Sequence, residues 1–506
     1  MSEIAIEKLV RHFGKTENKI QINNPNTGKL IYELPQLSAA DVELAVVNAR
    51  KAQPEWEATD ISTRSGIMYR LHDLILARQD ELMDIIQLET GKARAHAFEE
   101  IAGALGAARY YAKIAKKALA PSKTVAGVPL LTKTWVNHIP VGVVGVITPW
   151  NYPLALTALD VLPALVAGNT VVQKPDNQTA LIALQLRELA IEAGLDPKFW
   201  TIVCGDGAEV GNAVTDNVDY VAFTGSAKTG KLVAQRATAR LIPFSLELGG
   251  KNPLIVLRSA DLNKAADILI GGAFGSAGQL CVSIERAYVP MELKERFEAI
   301  LKDKVSNLTL GTSKDFSIDI GSLTGPSQLR RVGDFIQDAV AKGAKVITGG
   351  HSLPELGPYF YAPTVLTDVT EQMHLHENEV FGPLISIYGY QDIDQAIELA
   401  NKTTEGLNAS VVGNTAEATK VAKKLMAGTV NINEGFRATF ASLDTPMGGM
   451  KNSGHGRRNG VDGLLKYTET QSIGIHRGVL EFPSRGSQYN KMAPLMNRLA
   501  KIMKRL

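Results

Sequence analysis

VGVVGVITP, residues 141–149, is a short apolar segment rich in β-branched residues, and three similar segments follow it along the chain: NTVVQKP (169–175), FWTIVCG (199–205) and DYVAFTG (219–225). Segments with the apolar periodicity of a helix separate them, for example NQTALIALQLRELAIEAG (177–194). Strands that alternate with helices in this way are typical of a parallel sheet covered by helices on both faces. The sequence therefore predicts a doubly wound α/β domain.

The same alternation begins again after LELGGKNP (246–253). PLIVL, ERAYV, AKVITGG and PTVLTDV have the composition of strands, with helical segments between them, so we expect a second α/β domain from about residue 250. Upstream of both domains, residues 71–90 and 99–119 carry apolar residues at helical spacing. They predict two helices, each with one buried face, packed on the first sheet.

Composition excludes several classes of protein. The 506 residues include 54 Lys and Arg against 52 Asp and Glu, a formal net charge of +2, which argues against nucleic acid as a partner. Two cysteines are too few for a disulfide framework, and MSEIAIEKLV lacks the features of a signal peptide, so we expect a cytoplasmic protein. No apolar stretch is long enough to span a membrane. The nine histidines form no HExxH motif, so we expect no metal site.

Two parts of the chain read as extensions. Residues 122–140 and 467–477 resemble isolated strand-rich ribbons, which need a partner such as another subunit. The segment 488–506 predicts a basic amphipathic helix, whose apolar stripe is Met492, Leu495, Leu499, Ile502, Met503 and Leu506. Such a helix either lies on an anionic membrane, here the inner membrane surface, or docks on its own oligomer.

Three residues are candidates for catalysis. Cys281 lies in a Gly-rich polar context, whereas Cys204 lies in an apolar strand and is expected to be buried. Glu247 ends a strand before a Gly-Gly turn, where a carboxyl group with a raised pKa could act as a base. Asn151, between the two prolines of TPWNYP, could donate to an oxyanion. Taken singly, each also has an ordinary structural interpretation.

Two Gly-rich turns follow predicted strands. CGDGAEVG (204–211) has the spacing GxGxxxG, which differs from the dinucleotide fingerprint GxGxxG. FTGSAKTG (223–230) could bring backbone N–H groups and a helix N-terminus to a phosphate. Together with Lys174 at the end of another strand, the two turns predict a nucleotide site.

Six motifs resemble, in order and spacing, those of the NAD(P)-dependent aldehyde dehydrogenase superfamily: TPWNYP (148–153), FTGSAKTG (223–230), LELGGKNP (246–253), GQLC (278–281), ENEVFGP (377–383) and PMGGMKNSGHGR (446–457). KPDNQT (174–179) and CVSIER (281–286) are most similar to a bacterial succinate-semialdehyde dehydrogenase branch, with long-chain aldehyde dehydrogenases nearby.

The resemblance implies a domain organisation. It implies two doubly wound α/β domains with a β-ribbon arm that pairs between subunits in a homodimer or homotetramer. We therefore expect an NAD(P)-binding domain from residues 1–121 and 141–249, and a catalytic domain from residues 250–466. The oligomerisation ribbon would comprise residues 122–140 and 467–487, before the basic helix at 488–506.

The resemblance also implies roles for individual residues. Cys281 matches the nucleophile, Asn151 the oxyanion donor and Glu247 the base that activates water to hydrolyse the thioester. Because Glu247 is present, a free acid is the expected product, and a catalytically inactive homologue is disfavoured. The implied cofactor contacts are Ile147, Thr148, Pro149, Trp150, Lys174, Asn177, Gly207, Gly211, Phe223, Thr224, Gly225, Ser226, Gly230, Leu248, Glu379 and Phe381.

One departure from the family pattern concerns the cofactor. NAD-preferring relatives usually carry a Glu at the position of Asn177, where it binds the adenosine ribose. A neutral side chain removes the repulsion that a 2′-phosphate would meet, and Lys174 could pair with that phosphate. We therefore expect that NADP is accepted as well as NAD, although Asp176 works against it.

A second departure concerns the substrate. The two arginines that hold the substrate carboxylate in well-studied succinate-semialdehyde dehydrogenases are replaced here by Leu159 and Gly275. Burying a carboxylate without a partner is costly. The predicted tunnel residues, Tyr152, Ala155, Leu159, Gly275 and Met447, therefore favour an apolar medium- or long-chain aliphatic, or an aromatic, aldehyde. Succinate semialdehyde is the alternative, because the whole-chain resemblance favours it.

Overall fold

The computed structural model describes residues 3–14, 16, 18–125, 131–478 and 481–504. They form two units. One unit combines the residues up to Ala118 with Pro140–Thr468, and the other combines Leu119–Ile139 with the residues from Glu469 onward. In this described part of the chain, no helix is long and apolar enough to cross a lipid bilayer.

The α-helices of the described residues, labelled α1 to α18 in chain order, are Glu3–Val10, Ala39–Ala58, Ile61–Ala77, Gln79–Thr90, Arg94–Ala118, Pro153–Val166, Ala180–Glu192, Glu209–Asn217, Ala227–Ala239, Leu262–Ala273, Lys294–Ser306, Pro326–Ala341, His374–Glu377, Ile393–Asn401, Thr415–Ala422, Arg437–Phe440, Gly460–Leu465 and Gly486–Met503.

The strands, labelled β1 to β20, are Lys19–Asn23, Leu30–Pro35, Ser122–Thr124, Thr132–Pro140, Val143–Thr148, Thr170–Pro175, Trp200–Ile202, Tyr220–Thr224, Phe244–Glu247, Asn252–Val256, Ile284–Pro290, Lys345–Thr348, Thr364–Thr367, Leu384–Tyr390, Glu405–Gly406, Asn408–Val412, Thr429–Ile432, Met450–Lys451, Gly454–His455 and Thr468–His476.

A six-stranded sheet in the first unit has the strand order β19-β9-β8-β5-β6-β7. Strands β5 to β9 run parallel, as the alternation of segments predicted. The sixth strand, β19, comes from far along the chain and pairs antiparallel with β9, so that Gly454 lies opposite Glu247. Because parallel strands end at one edge of a sheet, the turns that follow β5, β6, β8 and β9 lie together.

A seven-stranded sheet in the same unit has the order β12-β13-β14-β11-β10-β16-β17, parallel except for β12. In and just after β10, Leu254 and Val256 pack in one apolar cluster, whereas Ile255 and Leu257 pack in another. Since successive side chains of a strand point to opposite faces, both faces of this sheet are covered. This is the second alternating region that the sequence predicted.

Two predicted helices differ from the observed ones. Residues 71–90 were predicted as one helix, but they are divided between α3 and α4, because the backbone leaves helical geometry at Arg78, with φ −111° and ψ 22°. Residues 177–194 begin as a 3₁₀ turn, Asn177–Thr179, and become the α-helix α7 only at Ala180. Asp176 caps that turn by accepting from the backbone N–H of Gln178.

The second unit contains a three-stranded sheet of order β20-β4-β3. The two segments predicted as strand-rich ribbons, 122–140 and 467–477, therefore pair with each other through β4 and β20. Residues 126–130, within the first predicted ribbon, lie outside the described residues. The predicted C-terminal helix is present as α18, which begins at Gly486. Residues 505–506, at the end of its predicted range, are also outside the described part.

Candidate active site

A cavity of about 260 Å³ lies beside Cys281 at the ends of the parallel strands. Turns from both halves of the first unit contribute to its walls. The lining residues are Pro149, Trp150, Asn151, Leu156, Thr224, Gly225, Ser226, Glu247, Leu248, Gly249, Cys281, Gln328, Arg331, Glu379 and Phe381. The structure thus brings the three predicted catalytic residues together with eight of the predicted cofactor contacts. Sequence analysis missed Leu156, Gly249, Gln328 and Arg331.

The backbone before Cys281 has an unusual conformation. Ser276, Ala277 and Gly278 have φ values of 51°, 54° and 71°. Side chains with a Cβ atom rarely adopt this left-handed region, so the turn is held by its surroundings. A methyl group on Gly278 would lie 2.1 Å from the carbonyl oxygen of Gly382, so this position requires glycine.

The thiol of Cys281 is protonated at neutral pH in these surroundings. Burial, followed by the negative charges of Glu379 and Glu247, raises its pKa to about 12. The carboxyl group of Glu247, which lines the same cavity, could accept the thiol proton. Attack by this thiol therefore requires deprotonation within the site.

Glu247 ends β9 with a buried carboxyl group. In the described structure, neither of its carboxyl oxygens has a hydrogen-bond partner. Burial raises its pKa to about 7, although the nearby cations Arg458 and Lys466 oppose the shift. A carboxyl group with this pKa exchanges protons readily near neutral pH, as the prediction of a base requires.

Next to Glu247 lies a buried network centred on Asp160, which sequence analysis missed. Arg458 donates to Oδ2 of Asp160 at 2.5 Å and to the hydroxyl of Thr224 at 2.7 Å. Lys466 and the hydroxyl of Tyr467 donate to Oδ1 of Asp160 at 3.2 and 3.0 Å. Asp160 is about 300 positions away from these partners in the sequence, so no local signal would have revealed the network.

Asn151 is held on two sides. Its side-chain Nδ2 donates to the carbonyl oxygen of Gln279 at 3.0 Å, two residues before Cys281. Its own carbonyl oxygen accepts from the ammonium of Lys92 at 2.6 Å. An amide nitrogen carries two protons, so Nδ2 has one more to offer to an oxyanion in the cavity.

The other end of the cavity is lined by residues predicted to contact the cofactor. Ser226 caps α9 by accepting from the N–H of Thr229, so the N-terminus of a thirteen-residue helix faces this region. Glu379 is anchored by the N–H of Gly250 at 3.0 Å, and burial raises its pKa to about 8. The ring of Phe381 meets that of Trp150 edge-on at 5.6 Å. These residues would hold the nicotinamide ribose, the ring and the phosphates.

The remaining predicted cofactor contacts lie around this cavity or at neighbouring strand ends. Ile147 and Thr148 end β5, Phe223 packs beneath Gly225, and Gly230 lies against Leu248. Gly207 and Gly211 lie in and after the turn that follows β7. The amide of Asn177 makes two hydrogen bonds to the backbone of Gly205, at 2.9 and 3.1 Å. Asn177 thus braces this turn, a role that sequence analysis did not anticipate.

None of the five predicted tunnel residues lines the cavity. Tyr152, Ala155, Leu159, Gly275 and Met447 are all buried, and Leu156, on the same helix α6, faces the cavity instead. The surroundings of Tyr152 are also more polar than expected. Its hydroxyl donates to Glu99 at 3.4 Å, and Glu99 pairs with Arg437 at 2.9 Å.

Comparison with known proteins gives a consistent picture. The model of the aldehyde dehydrogenase family matches residues 13–473. A Mycobacterium tuberculosis protein named "Putative succinate-semialdehyde dehydrogenase (NADP(+)) 2" is 50% identical over 452 residues, which cover 89% of this chain and 87% of that protein. A Mycolicibacterium smegmatis protein with a similar name is 49% identical over the same length. The branch that KPDNQT and CVSIER indicated is therefore confirmed.

Solved structures confirm the predicted fold class. An Escherichia coli NADP-dependent enzyme superposes with a TM-score of 0.87 at 34% identity, covering 91% of this chain and 95% of its own. Betaine aldehyde dehydrogenase from Staphylococcus aureus, solved with NAD+, gives 0.88 at 31% identity, covering 93% and 95%. With these relatives and the shared cavity of Cys281, Glu247 and Asn151, the chain belongs to the aldehyde dehydrogenase family and is an NAD(P)-dependent aldehyde dehydrogenase.

Proposed function

We propose that the protein oxidises an aldehyde to the carboxylic acid, with Cys281 as nucleophile, Asn151 as oxyanion donor and Glu247 as base. The observation that carries this proposal is the single cavity that all three residues line. The balanced reaction consumes an aldehyde, NAD(P)+ and water, and it yields the acid, NAD(P)H and a proton.

The side chains divide the steps between them. Glu247 takes the thiol proton, and the sulfur of Cys281 then bonds to the aldehyde carbon to give a thiohemiacetal. The amide of Asn151 and the backbone N–H of Cys281 stabilise the oxygen as charge develops on it. NAD(P)+, when bound, would accept the hydride whose loss from this adduct gives the thioester. After Glu247 has passed the thiol proton to solvent, its carboxylate removes a proton from water, whose oxygen attacks the thioester and releases the acid. Glu247 then returns this proton to the sulfur, which regenerates the thiol.

We infer that this chain accepts NADP as well as NAD. Lys174 is buried, and its ammonium makes one long hydrogen bond, to the carbonyl of Pro175 at 3.5 Å. Among the described residues it forms no ion pair, so a 2′-phosphate would give it the missing partner. Asn177 adds no charge that would repel this phosphate. A ratio of kcat/KM above about 100 in favour of NAD would contradict the inference.

The charges beside Tyr152 favour an uncharged aldehyde as substrate. Arg437 pairs with Glu99 at 2.9 Å and with Glu434 at 3.4 Å, so this group of three has one excess negative charge. A substrate carboxylate brought to this side would meet repulsion unless it displaced one of the acids. With the apolar side chain of Leu156 in the cavity wall, this supports a medium- or long-chain aliphatic, or an aromatic, aldehyde.

Succinate semialdehyde is the second candidate. It is favoured by the names of the mycobacterial relatives at about half identity. Arg437 could bind the carboxylate of this substrate by releasing Glu99 or Glu434. Arg331, which lines the cavity, is a second arginine available to it.

One experiment separates the two substrates. Initial rates of NADPH and NADH formation are measured for succinate semialdehyde, hexanal, decanal and benzaldehyde, with Cys281→Ala as the control for background. We expect decanal or hexanal to exceed succinate semialdehyde in kcat/KM by at least about tenfold. The reverse order, together with loss of succinate semialdehyde activity in Arg437→Met, would establish the second candidate.

We infer the predicted organisation for the chain: residues 1–121 and 141–249 bind the cofactor, 250–466 carry Cys281, and 122–140 with 467–487 form the oligomerisation ribbon. The assembly would be a homodimer or homotetramer. Light scattering of the purified protein tests the assembly. A monomer that is fully active would contradict it.

We also infer that α18 contacts an anionic membrane surface. Its side chains Tyr489, Leu495 and Leu499 are 54%, 44% and 38% exposed. The helix and the residue after it, Gly486 to Lys504, carry four basic residues and no acidic one. A helix with an exposed apolar stripe and only positive charges complements an anionic lipid surface.

Vesicle sedimentation tests this contact, with phosphatidylglycerol-containing and purely zwitterionic vesicles. Leu495→Glu/Leu499→Glu should abolish binding to the anionic vesicles, whereas Asn490→Glu/Asn497→Glu adds the same charge off the apolar stripe and should retain part of it. The membrane contact is refuted if neither the wild type nor either variant binds vesicles. If the oligomer also dissociates in Leu495→Glu/Leu499→Glu, the helix docks on its own assembly.

A further inference from the structure

A buried ion pair lies directly behind the proposed oxyanion donor. Lys92 follows α4, and its ammonium donates to Glu100 Oε1 and to the carbonyl oxygen of Asn151, both at 2.6 Å. The side chains of Lys92 and Glu100 are 1% and 0% exposed. The ammonium also lies 3.8 Å from the centre of the Tyr152 ring. Lys92 therefore contacts the two consecutive residues that end the TPWNY turn.

Glu100 extends this contact to the helix that follows the turn. Its second oxygen, Oε2, accepts from the backbone N–H groups of Leu154 and Ala155 at 2.8 and 3.3 Å. Helix α6 has Tyr152 at its N-cap position and receives no cap from that side chain. Glu100 thus caps α6 from α5, a role usually filled by the N-cap residue itself. The pair fixes the turn and the start of the helix as one body.

Stability alone does not account for such a pair. Removing two charges from water is costly, and apolar residues of similar volume often support a fold equally well. What the pair does provide is a fixed position for the Asn151 backbone, while Gln279 fixes the side-chain amide from the opposite direction. Misplacement of a catalytic group by about 1 Å can cost on the order of 100-fold in rate.

We propose that Lys92 and Glu100 are positioning residues, which act on the reaction through Asn151. The inference rests on the proposed role of Asn151 as oxyanion donor. The pair should therefore affect the steps in which the oxyanion forms. It should not affect the binding of the cofactor, whose predicted contacts lie at the opposite end of the cavity.

A double-mutant cycle tests the proposal in the full-length enzyme with hexanal and NADP. Lys92→Met/Glu100→Gln replaces both charges with side chains of similar length, so that no unpaired charge is left buried. We expect kcat to fall by about 10- to 100-fold, with the KM for NADP within about twofold of the wild type. In the Asn151→Ala background, the same double change should lower kcat by less than about twofold, because its target is already absent.

A second buried Lys–Glu pair provides a matched control. Lys251 donates to Glu285 at 2.5 Å, with side-chain exposures of 0% and 3%. Glu285 in turn accepts from the N–H groups of Val380 and Phe381, on the cofactor side. Lys251→Met/Glu285→Gln should raise the KM for NADP, and this effect should persist in full in the Asn151→Ala background.

The outcomes are distinguishable. If Asn151→Ala itself retains wild-type kcat, the oxyanion role fails, and with it the basis of the proposal. If Asn151→Ala is impaired but the Lys92/Glu100 change lowers kcat equally in both backgrounds, the pair acts elsewhere and positioning is refuted. Should the double variant not fold, Glu100→Gln alone keeps the acceptor for α6 and must show the same non-additivity with a smaller loss, about threefold or more.

Discussion

Glu247 and Asp160 are both buried carboxyl groups near Arg458, but their surroundings are opposite. Asp160 receives hydrogen bonds from Arg458, Lys466 and Tyr467, and the cations Arg458 and Lys466 hold its pKa well below its usual value. The oxygens of Glu247 receive none in the described structure, and burial raises its pKa to about 7. One carboxylate is permanently charged, and the other can exchange a proton near neutral pH.

Within a few side chains, one carboxyl group, Asp160, is fixed by hydrogen bonds, and the other, Glu247, is left able to exchange protons. A group that must gain and lose a proton cannot be held by strong donors, because those donors would fix its charge. The donors are instead used on Asp160, which carries no proposed chemical role. The charge of Arg458 still reaches Glu247 and limits the rise of its pKa. The following predictions test this division, from the largest expected effect to the smallest.

The largest effect should follow loss of the nucleophile. Cys281→Ala removes the atom that bonds to the aldehyde, so kcat/KM should fall by at least about 10⁴-fold while the protein remains folded. Steady-state rates and circular dichroism measure both quantities. Substantial residual oxidation would mean that another group acts as nucleophile.

Glu247→Gln should lower kcat by about 100- to 10,000-fold, because water then lacks its base. In the wild type the rate should rise as pH increases through about 7, since Glu247 must be deprotonated to act, and level off above it. The variant should lose this limb of the pH profile. A profile that keeps its rise near pH 7 in the variant would assign the titration to another group.

Asp160→Asn makes the same change, from carboxyl to amide, at the second buried carboxyl group. Here the free energy of unfolding should fall. Arg458 and Lys466 would be left without their carboxylate, at a cost of about 3–5 kcal/mol. Glu247→Gln, which removes no hydrogen bond, should change the free energy of unfolding by less than about 1 kcal/mol. Urea unfolding of the two variants measures the contrast, and equal losses would break the comparison.

The smallest effect concerns the cofactor. Lys174→Met should lower kcat/KM for NADP by about tenfold, because the 2′-phosphate loses its proposed partner, and should change that for NAD by less than about twofold. Steady-state kinetics with each cofactor measures the difference. An equal effect on both would place Lys174 away from the 2′-phosphate.

Sequence predicted those parts of the molecule that depend on local patterns. The parallel strands, the Gly-rich turn at 223–230 and the meeting of Asn151 with Glu247 follow from patterns at strand ends, because an α/β sheet collects these ends at one edge. Cys281 precedes β11, and it was assigned to the same site through the family resemblance.

Contacts between distant segments could not be predicted in the same way. Lys92 reaches the backbone of Asn151 across 59 positions, and a lysine in a polar turn gives no sign of being buried. Asn177 looked available to a ribose, but its amide is used by Gly205. The tunnel residues were placed by family position alone, and on α6 it is Leu156, and not Leu159, that lines the cavity.

The pairing of β19 with β9 bears on how the protein is made. When the ribosome has synthesised the first 250 residues, β9 is an open sheet edge, since its partner Gly454–His455 is still about 200 residues away. An unpaired edge is prone to pair with other chains. We expect the emerging chain to need protection by a chaperone until that partner leaves the ribosome. A fragment truncated before Gly454 should accordingly aggregate on expression, and a soluble, folded fragment would show that β9 tolerates an open edge.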